Sequence, residues 1–238
     1  YVTQETTTSI HRLIVADPDG FNPRVILQSE KPLHSPQWSN TGTHLLYVSM
    51  EHDIPTVISQ NVASGKRTTL AKNPTLTGRV AWSPDNQKIA LSLSRNGNTD
   101  IYIFEISTQK VTRLTNNRAE DTDPAWSPNG EHLVFTSNRT GSRHIYRMNV
   151  SGEEMKRLTF EGKENTQATY LPQNNKNTIA VVTDDDDGRN IAILNETDDW
   201  RSFVLTSSGK NLSPTFSPNG AMILYVTEQD GKKRLATI

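Results

Sequence analysis

The chain of 238 residues contains no cysteine. This absence excludes disulfide frameworks, thiolate metal sites and a cysteine nucleophile, and it fits either a reducing or an oxidising compartment. No apolar run approaches the length of about 18 residues that a transmembrane helix needs, so membrane insertion is not expected. The 25 basic and 26 acidic residues balance, so nothing in the charge argues for a nucleic-acid or membrane-surface partner.

Catalytic signatures are also missing. The sequence has no Gly-x-Ser-x-Gly motif, the usual context of a hydrolase nucleophile. Its six histidines are dispersed, whereas a metal hydrolase needs histidines and carboxylates close together. No segment shows an apolar period of about 3.6 residues, which predicts almost no helix. These absences leave the sequence without the usual context of a hydrolase nucleophile and without a clustered metal site.

One short motif recurs through the whole chain. Its fullest copy is DPAWSPNG at 123–130, and related copies stand at 35–42, 80–86, 168–174 and 213–220. Each copy carries one aromatic anchor, and the anchors are 44, 44, 44 and 46 residues apart: Trp38, Trp82, Trp126, Tyr170 and Phe216. Such a fixed period is typical of a propeller or a solenoid, and repeats of this size cannot bury their faces alone.

Each repeat reads as four strands. An apolar strand ends in the anchor, a Ser-Pro-Asn-Gly turn follows, and the next strand is apolar on both faces, as in 45–49, 89–93 and 179–183. A third strand and a polar or alternating outer strand complete the repeat. The pattern predicts an all-β, six-bladed propeller of four-stranded antiparallel blades in a single domain. The predicted blades are roughly 1–34, 35–78, 79–122, 123–166, 167–212 and 213–238.

The first and last blades are expected to be incomplete. Residues 1–4, 11–15 and 24–27 read as second, third and fourth strands, so the first blade would have no inner strand. Residues 233–238 read as a third strand without a fourth. We therefore expect the parent protein to continue beyond both ends of this sequence.

The repeat resembles the propeller of the TolB family of the Tol-Pal cell-envelope system. More specific runs support the resemblance: the Asp-Pro-Asp-Gly turn at 17–20, PLHSP at 32–36, TDPAW at 122–126 and RLTFEG at 157–162. The resemblance covers essentially the whole chain. The resemblance leaves no counterpart in these 238 residues for the N-terminal α/β domain of that family or for the N-terminal segment that contacts TolA. Repeat four departs by carrying Tyr170 for tryptophan and lacking the glycine of its turn, Gln173-Asn174.

The resemblance implies a periplasmic binding hub rather than an enzyme. Proteins of this family hold the peptidoglycan-associated lipoprotein Pal on one face of the ring, and colicin peptides enter the same channel. It implies a role in outer-membrane integrity, cell division and protein transport. TolA would contact only the absent region, and a monomer without a cofactor is expected. In this alignment, His34, Leu76, Arg79, Thr122 and Asp123 fall at or beside partner-contact positions.

Propeller geometry predicts the same region independently. The innermost strand of each blade shows the channel an edge, and the residues just before it should ring the channel mouth. Those residues are polar and of mixed charge, which suits a bound peptide or protein loop. They are His34, Ser35, Thr77, Gly78, Arg79, Thr122, Asp123, Thr166, Gln167, Leu212 and Ser213.

Less specific interpretations compete at several of these positions. The aromatic anchors fit the core between blades better than a ligand platform. Asp123 could accept a bond from its own turn instead of binding a partner, and no second ligand accompanies His34. The run Asp184–Gly188 reads as a solvated hairpin rather than a calcium loop. A channel cation such as calcium, held by Glu120, Asp121 and Asp123, remains open, as do the gating propeller of a serine peptidase and a polysaccharide lyase.

Overall fold

The computed structural model describes residues 1–4, 9–172, 177–186 and 188–238. It confirms the six-bladed β-propeller. Six antiparallel sheets follow one another along the chain, and in each sheet the strands pair in chain order. The four central blades have four strands each, and the first and last have three.

The strands are numbered along the chain. Blade 1 has β1 (Val2–Gln4), β2 (His11–Val15) and β3 (Arg24–Ser29). Blade 2 has β4 (Leu33–Trp38), β5 (His44–Ser49), β6 (Thr56–Asn61) and β7 (Arg67–Lys72). Blade 3 has β8 (Leu76–Trp82), β9 (Lys88–Arg95), β10 (Asn98–Glu105) and β11 (Val111–Arg113).

The second half of the ring repeats this order. Blade 4 has β12 (Asp121–Trp126), β13 (His132–Ser137), β14 (His144–Asn149) and β15 (Lys156–Arg157). Blade 5 has β16 (Glu164–Tyr170), β17 (Ile179–Asp185), β18 (Gly188–Leu194) and β19 (Phe203–Val204). Blade 6 has β20 (Lys210–Phe216), β21 (Ile223–Gln229) and β22 (Lys232–Thr237). One 3₁₀ turn, Glu196–Asp198, is the helical element of the described residues.

The aromatic anchors end the inner strands, as the repeat predicted: β4, β8, β12, β16 and β20 stop at the five anchor residues. The serine after the anchor explains the turn. In blade 4 the Ser127 hydroxyl accepts the His132 N–H at 2.9 Å, and the Ser127 carbonyl accepts the Gly130 N–H at 2.9 Å. Gly130 has φ +74°, a conformation that glycine adopts without steric cost. The Gln173-Asn174 turn of repeat four lies outside the described residues.

Three of the anchors are buried against the preceding blade. Trp126 lies in a cluster with Ala90 and Ile103 of blade 3, and its indole Nε1 donates to the Ala81 carbonyl at 3.1 Å. Trp82 and Tyr170 are buried in the same way against blades 2 and 4. The prediction of a core role is thus confirmed for these three anchors.

Trp38 is the exception among the anchors. Its side chain is 45% exposed, against 8% for Trp82 and 9% for Trp126. The preceding blade explains the difference, because blade 1 begins with β1, which is equivalent to a second strand. No inner strand of blade 1 covers Trp38 in the described part of the chain, so the core prediction is wrong for this anchor.

Candidate channel-mouth site

The inner strands carry a repeated irregularity at the predicted site. In all five, the pairing with the second strand shifts register after the first two or three paired residues of the inner strand. The first residue of each shift is left-handed, with φ between +52° and +66°: Ser35, Gly78, Asp123, Gln167 and Ser213. These are β-bulges, which bend a strand and re-aim its side chains.

This finding corrects the position of the predicted site. The residues were expected just before the inner strands, but they lie within them, because the strands begin at Leu33, Leu76, Asp121, Glu164 and Lys210. A residue other than glycine pays about 1–2 kcal/mol in the left-handed region. Four blades place a residue other than glycine in this conformation, and blade 3 has Gly78. Because the position holds serine, glycine, aspartate or glutamine, no single residue type in the sequence marks the bulge.

Blade 3 differs from the other four at this point. Between Thr122 and Ala125 of blade 4, the partner strand advances from Thr136 to Val134, so the bulge holds one extra residue. Between Thr77 and Val80 the partner advances only from Ser92 to Leu91, so this bulge holds two. The additional residue is Arg79, which follows the glycine.

Arg79 faces a carboxylate of the next blade. A Cβ atom placed on Gly78 would stand 3.6 Å from Asp123 Oδ1, so the two bulges approach each other closely. Burial lowers the pKa of Arg79 below its ordinary value, and attraction to Asp123 opposes that shift. Arg79 nevertheless keeps part of its surface exposed. Arg79 is thus largely surrounded by protein but still reached by water, as expected of a side chain that lines a channel.

Asp123 itself is half-buried, and its Oδ2 accepts a 3.4 Å bond from the Thr122 hydroxyl. No turn N–H donates to this carboxylate within the described residues, which disfavours the interpretation of Asp123 as a cap of its own turn. Arg79 and Asp123 form no ion pair within 4 Å in the same described set. The site thus holds opposite charges that are near each other but not neutralised by direct contact.

The remaining predicted residues divide by exposure. Thr77 and Ser213 are exposed, and Ser35, Thr122 and Thr166 are half-buried. His34 is half-buried and contacts the Ser35 hydroxyl at 3.3 Å, and burial lowers the pKa of its imidazole, so the ring is neutral near pH 7. Leu76 is 7% exposed and packs in the core between blades 2 and 3.

Gln167 has a bond to the neighbouring blade. Its Oε1 accepts the Ser213 N–H at 2.7 Å, across the junction of blades 5 and 6. Gln37 does the same between blades 2 and 3, where its Oε1 accepts the Trp82 N–H at 2.7 Å. Glutamine side chains therefore accept hydrogen bonds from some backbone N–H groups of the inner strands. The sequence did not indicate this role.

The three carboxylates considered for a channel cation are not brought together. Asp121 is fully buried, and both its oxygens accept bonds from Arg139 Nη2, at 3.0 and 3.1 Å. Glu120 is exposed and lies 3.5 Å from Arg143. No group of three potential metal ligands occurs among residues 1–4, 9–172, 177–186 and 188–238.

The acidic run Asp184–Gly188 is a hairpin, as expected. Asp185 pairs with Gly188 across the turn, Arg189 Nε donates to Asp184 at 2.8 Å, and Lys163 pairs with Asp186. Asp187 lies outside the described residues. Two basic neighbours therefore each pair with a carboxylate of the run.

This arrangement supports recognition of an extended polypeptide. Edge strands offer unpaired N–H and C=O groups, and Arg79 and Asp123 add one charge of each sign. No helix of the described residues is long and apolar enough to cross a membrane.

Comparison with known proteins agrees with this geometry. Residues 1–238 match the family of the TolB beta propeller domain. The Tol-Pal system protein TolB of Francisella tularensis subsp. mediasiatica is 35% identical over 109 residues, which are 44% of this chain and 25% of that protein.

Solved structures resemble the chain over its full length. TolB from Acinetobacter baumannii superposes with a TM-score of 0.92 and 33% identity, covering 100% of this chain and 60% of that one. An oligogalacturonate lyase in complex with manganese matches at 14% identity and a TM-score of 0.62, with 100% of this chain and 68% of that chain covered, which shows the fold alone. The matched residues make up 25% of the Francisella protein and 60% of the Acinetobacter chain, so this chain spans only part of the length of these relatives. The chain belongs to the TolB β-propeller domain family.

Proposed function

We propose that this chain is a non-catalytic protein-binding hub that takes a segment of a partner protein at the mouth of its channel. The observation that carries the proposal is Arg79, the additional residue of the blade 3 bulge, placed beside Asp123 of blade 4. A desolvated arginine and a carboxylate without an ion-pair partner within 4 Å among the described residues favour a ligand that offers both a donor and an acceptor. A polypeptide backbone and its polar side chains meet that requirement.

The partner that we propose is Pal, the peptidoglycan-associated lipoprotein, with colicin-like peptides competing for the same mouth. Relatives named as Tol-Pal system protein TolB support this assignment. The proposed setting is the periplasm, where such binding would support outer-membrane integrity and cell division. No group of three potential metal ligands occurs among the described residues, so the hub is preferred over the lyase alternative.

Calorimetry tests the proposal directly. The chain is titrated with the periplasmic domain of Pal from the same organism, and a dissociation constant of about 1 μM or tighter is expected. Asp123→Ala and Arg79→Ala should each weaken binding by at least about tenfold, because each removes one charge-assisted contact. Circular dichroism and the thermal midpoint verify that each variant is folded.

Arg201→Ala is the matched control, since Arg201 is an exposed arginine that follows the 3₁₀ turn of blade 5. Its affinity for Pal should equal that of the unchanged chain. Equal affinity in all three variants would remove Arg79 and Asp123 from the site. Absence of any binding by the folded protein would overturn the hub and reopen the enzymatic alternatives.

A further inference from the structure

A second recess lies in the outer half of blade 3. It has a volume of about 680 Å³ and is enclosed by the β9–β10 hairpin, strand β11 and the loop that leads to β12. Its lining includes three arginines and several amides, among them Arg95, Asn96, Asn98, Arg113, Asn117 and Arg118. No acidic residue is among its lining residues. The name blade 3 recess is used for this cavity.

One of the three arginines is neutralised. Arg113 Nη2 lies 2.6 Å from Oδ2 of the fully buried Asp100, and Arg113 Nε donates to the Thr115 carbonyl at 2.8 Å. Arg95 and Arg118 are exposed, and neither forms an ion pair within 4 Å in the described part of the chain. The blade 3 recess therefore presents two positive charges without a carboxylate partner.

The same location in the neighbouring blades is built differently. In blade 2, Arg67 lies 5.9 Å from the Tyr47 ring centre and pairs with Glu51 at 2.8 Å. In blade 4, Arg139 lies 4.7 Å from the Tyr146 ring centre and pairs with Asp121.

Blade 3 also has an arginine over an aromatic ring, but no carboxylate pairs with it among the described residues. Arg95 lies 5.3 Å from the Tyr102 ring centre, and its hairpin has the sequence Arg-Asn-Gly-Asn at 95–98. Of Arg67, Arg95 and Arg139, Arg95 is therefore the one without a carboxylate partner among the described residues.

The walls of the recess are already connected to each other. Asn98 Nδ2 donates to the Asn117 carbonyl at 2.7 Å and so joins the hairpin to the loop. Asn117 in turn donates to Asp121 at 3.0 Å and accepts the Ala119 N–H at 2.6 Å. Because these bonds hold the hairpin and the loop together, little ordering would be required when a ligand binds.

We propose that the blade 3 recess binds a small dianionic phosphate, either free or as a phosphate monoester. Two uncompensated guanidinium groups match a charge of about −2, and the planar fork of arginine fits phosphate oxygens. The recess opens beside the start of β12, on the face that carries the channel mouth, but it uses none of the channel-mouth residues. The inference is thus independent of Pal binding.

An NMR titration of the chain tests this inference. Amide shifts are followed with inorganic phosphate, glycerol 1-phosphate and glycerol, at constant ionic strength maintained with sodium chloride, because exposed charges are screened by salt. Saturable shifts at Asn96, Gly97 and Arg118 are expected with both phosphates and not with glycerol. Shifts with inorganic phosphate alone would identify a free-phosphate site, and shifts with both would extend it to monoesters.

Charge-removing variants decide whether the recess is responsible. Arg95→Gln and Arg118→Gln should each weaken phosphate binding by at least about fivefold, because each removes one charged donor. Arg201→Gln and Asp123→Ala should leave it unchanged. Non-saturating shifts, an equal response to glycerol, or unchanged affinity in both recess variants would overturn the proposal.

Discussion

At the residue scale, Asp121 shows what a buried charge requires. Its carboxylate is fully buried and bonded to Arg139 and Asn117, whereas the equivalent positions of blades 5 and 6 hold Asn165 and Asn211, both buried and hydrogen-bonded. A buried charge whose partner is removed is strongly destabilising, because the attraction that offset its desolvation disappears.

Arg139→Met should therefore lower the free energy of unfolding by about 3 kcal/mol, as measured by urea denaturation. Combining it with Asp121→Asn should recover most of that loss, since the amide suits blades 5 and 6. Arg201→Met, at an exposed position, should change the free energy by less than about 0.5 kcal/mol. A loss below about 1 kcal/mol for Arg139→Met would mean that the pair behaves as a surface ion pair.

The residue scale also limits what the sequence can predict. The motif predicted the anchors and turns because aromatic, serine and glycine side chains act through local or repeated contacts. It did not predict the burial of His144, which is 4% exposed and contacts the Ser142 hydroxyl at 2.9 Å. That contact depends on the sheet as a whole, and a histidine in an isolated strand gives no sign of it.

At the element scale, the bulge of the inner strand is the feature that the sequence concealed. The anchors at 38, 82 and 126 are spaced 44 and 44 residues apart, whereas the left-handed residues at 35, 78 and 123 are spaced 43 and 45. The constant anchor period therefore hides the additional residue of blade 3. Its position became visible only through the pairing of β8 with β9.

Deleting Arg79 should convert the blade 3 bulge into that of the other blades. The shortened strand would read Gly78-Val80-Ala81-Trp82, which places Ala81 at the position of Ala125 and keeps the anchor at the strand end. The fold should therefore persist, with a loss of about 1–2 kcal/mol in urea denaturation.

Binding of Pal should be lost in the same variant. Deletion of Val80 is the comparison, because it leaves the arginine in the strand while also restoring the shorter bulge. Unfolding of the Arg79 deletion would contradict the assignment of Arg79 as the additional residue. If the Arg79 deletion folds and binds Pal with unchanged affinity, the blade 3 bulge is not part of the Pal site.

At the scale of the whole molecule, stability should be distributed unevenly around the ring. The central blades share clusters of fully buried residues, such as Ile89, Phe135 and Val181 in β9, β13 and β17. Blade 1 contributes Leu13, and blade 6 contributes Ile223, as the buried apolar residues of their described segments. Strand β22 has no partner on its outer edge in the described residues and is mostly exposed.

Hydrogen exchange followed by NMR should therefore show that amide protection is higher in the central blades than in the first and last blades. Amides of β9, β13 and β17 should exchange through global unfolding, because these strands are covered on both faces. Amides of β3 and β22 should be protected less by at least about tenfold, or roughly 1.4 kcal/mol, since they can open locally. Uniform protection in all six blades would instead mean that the ring unfolds as one unit, and that the three-stranded blades are held as firmly as the four-stranded ones.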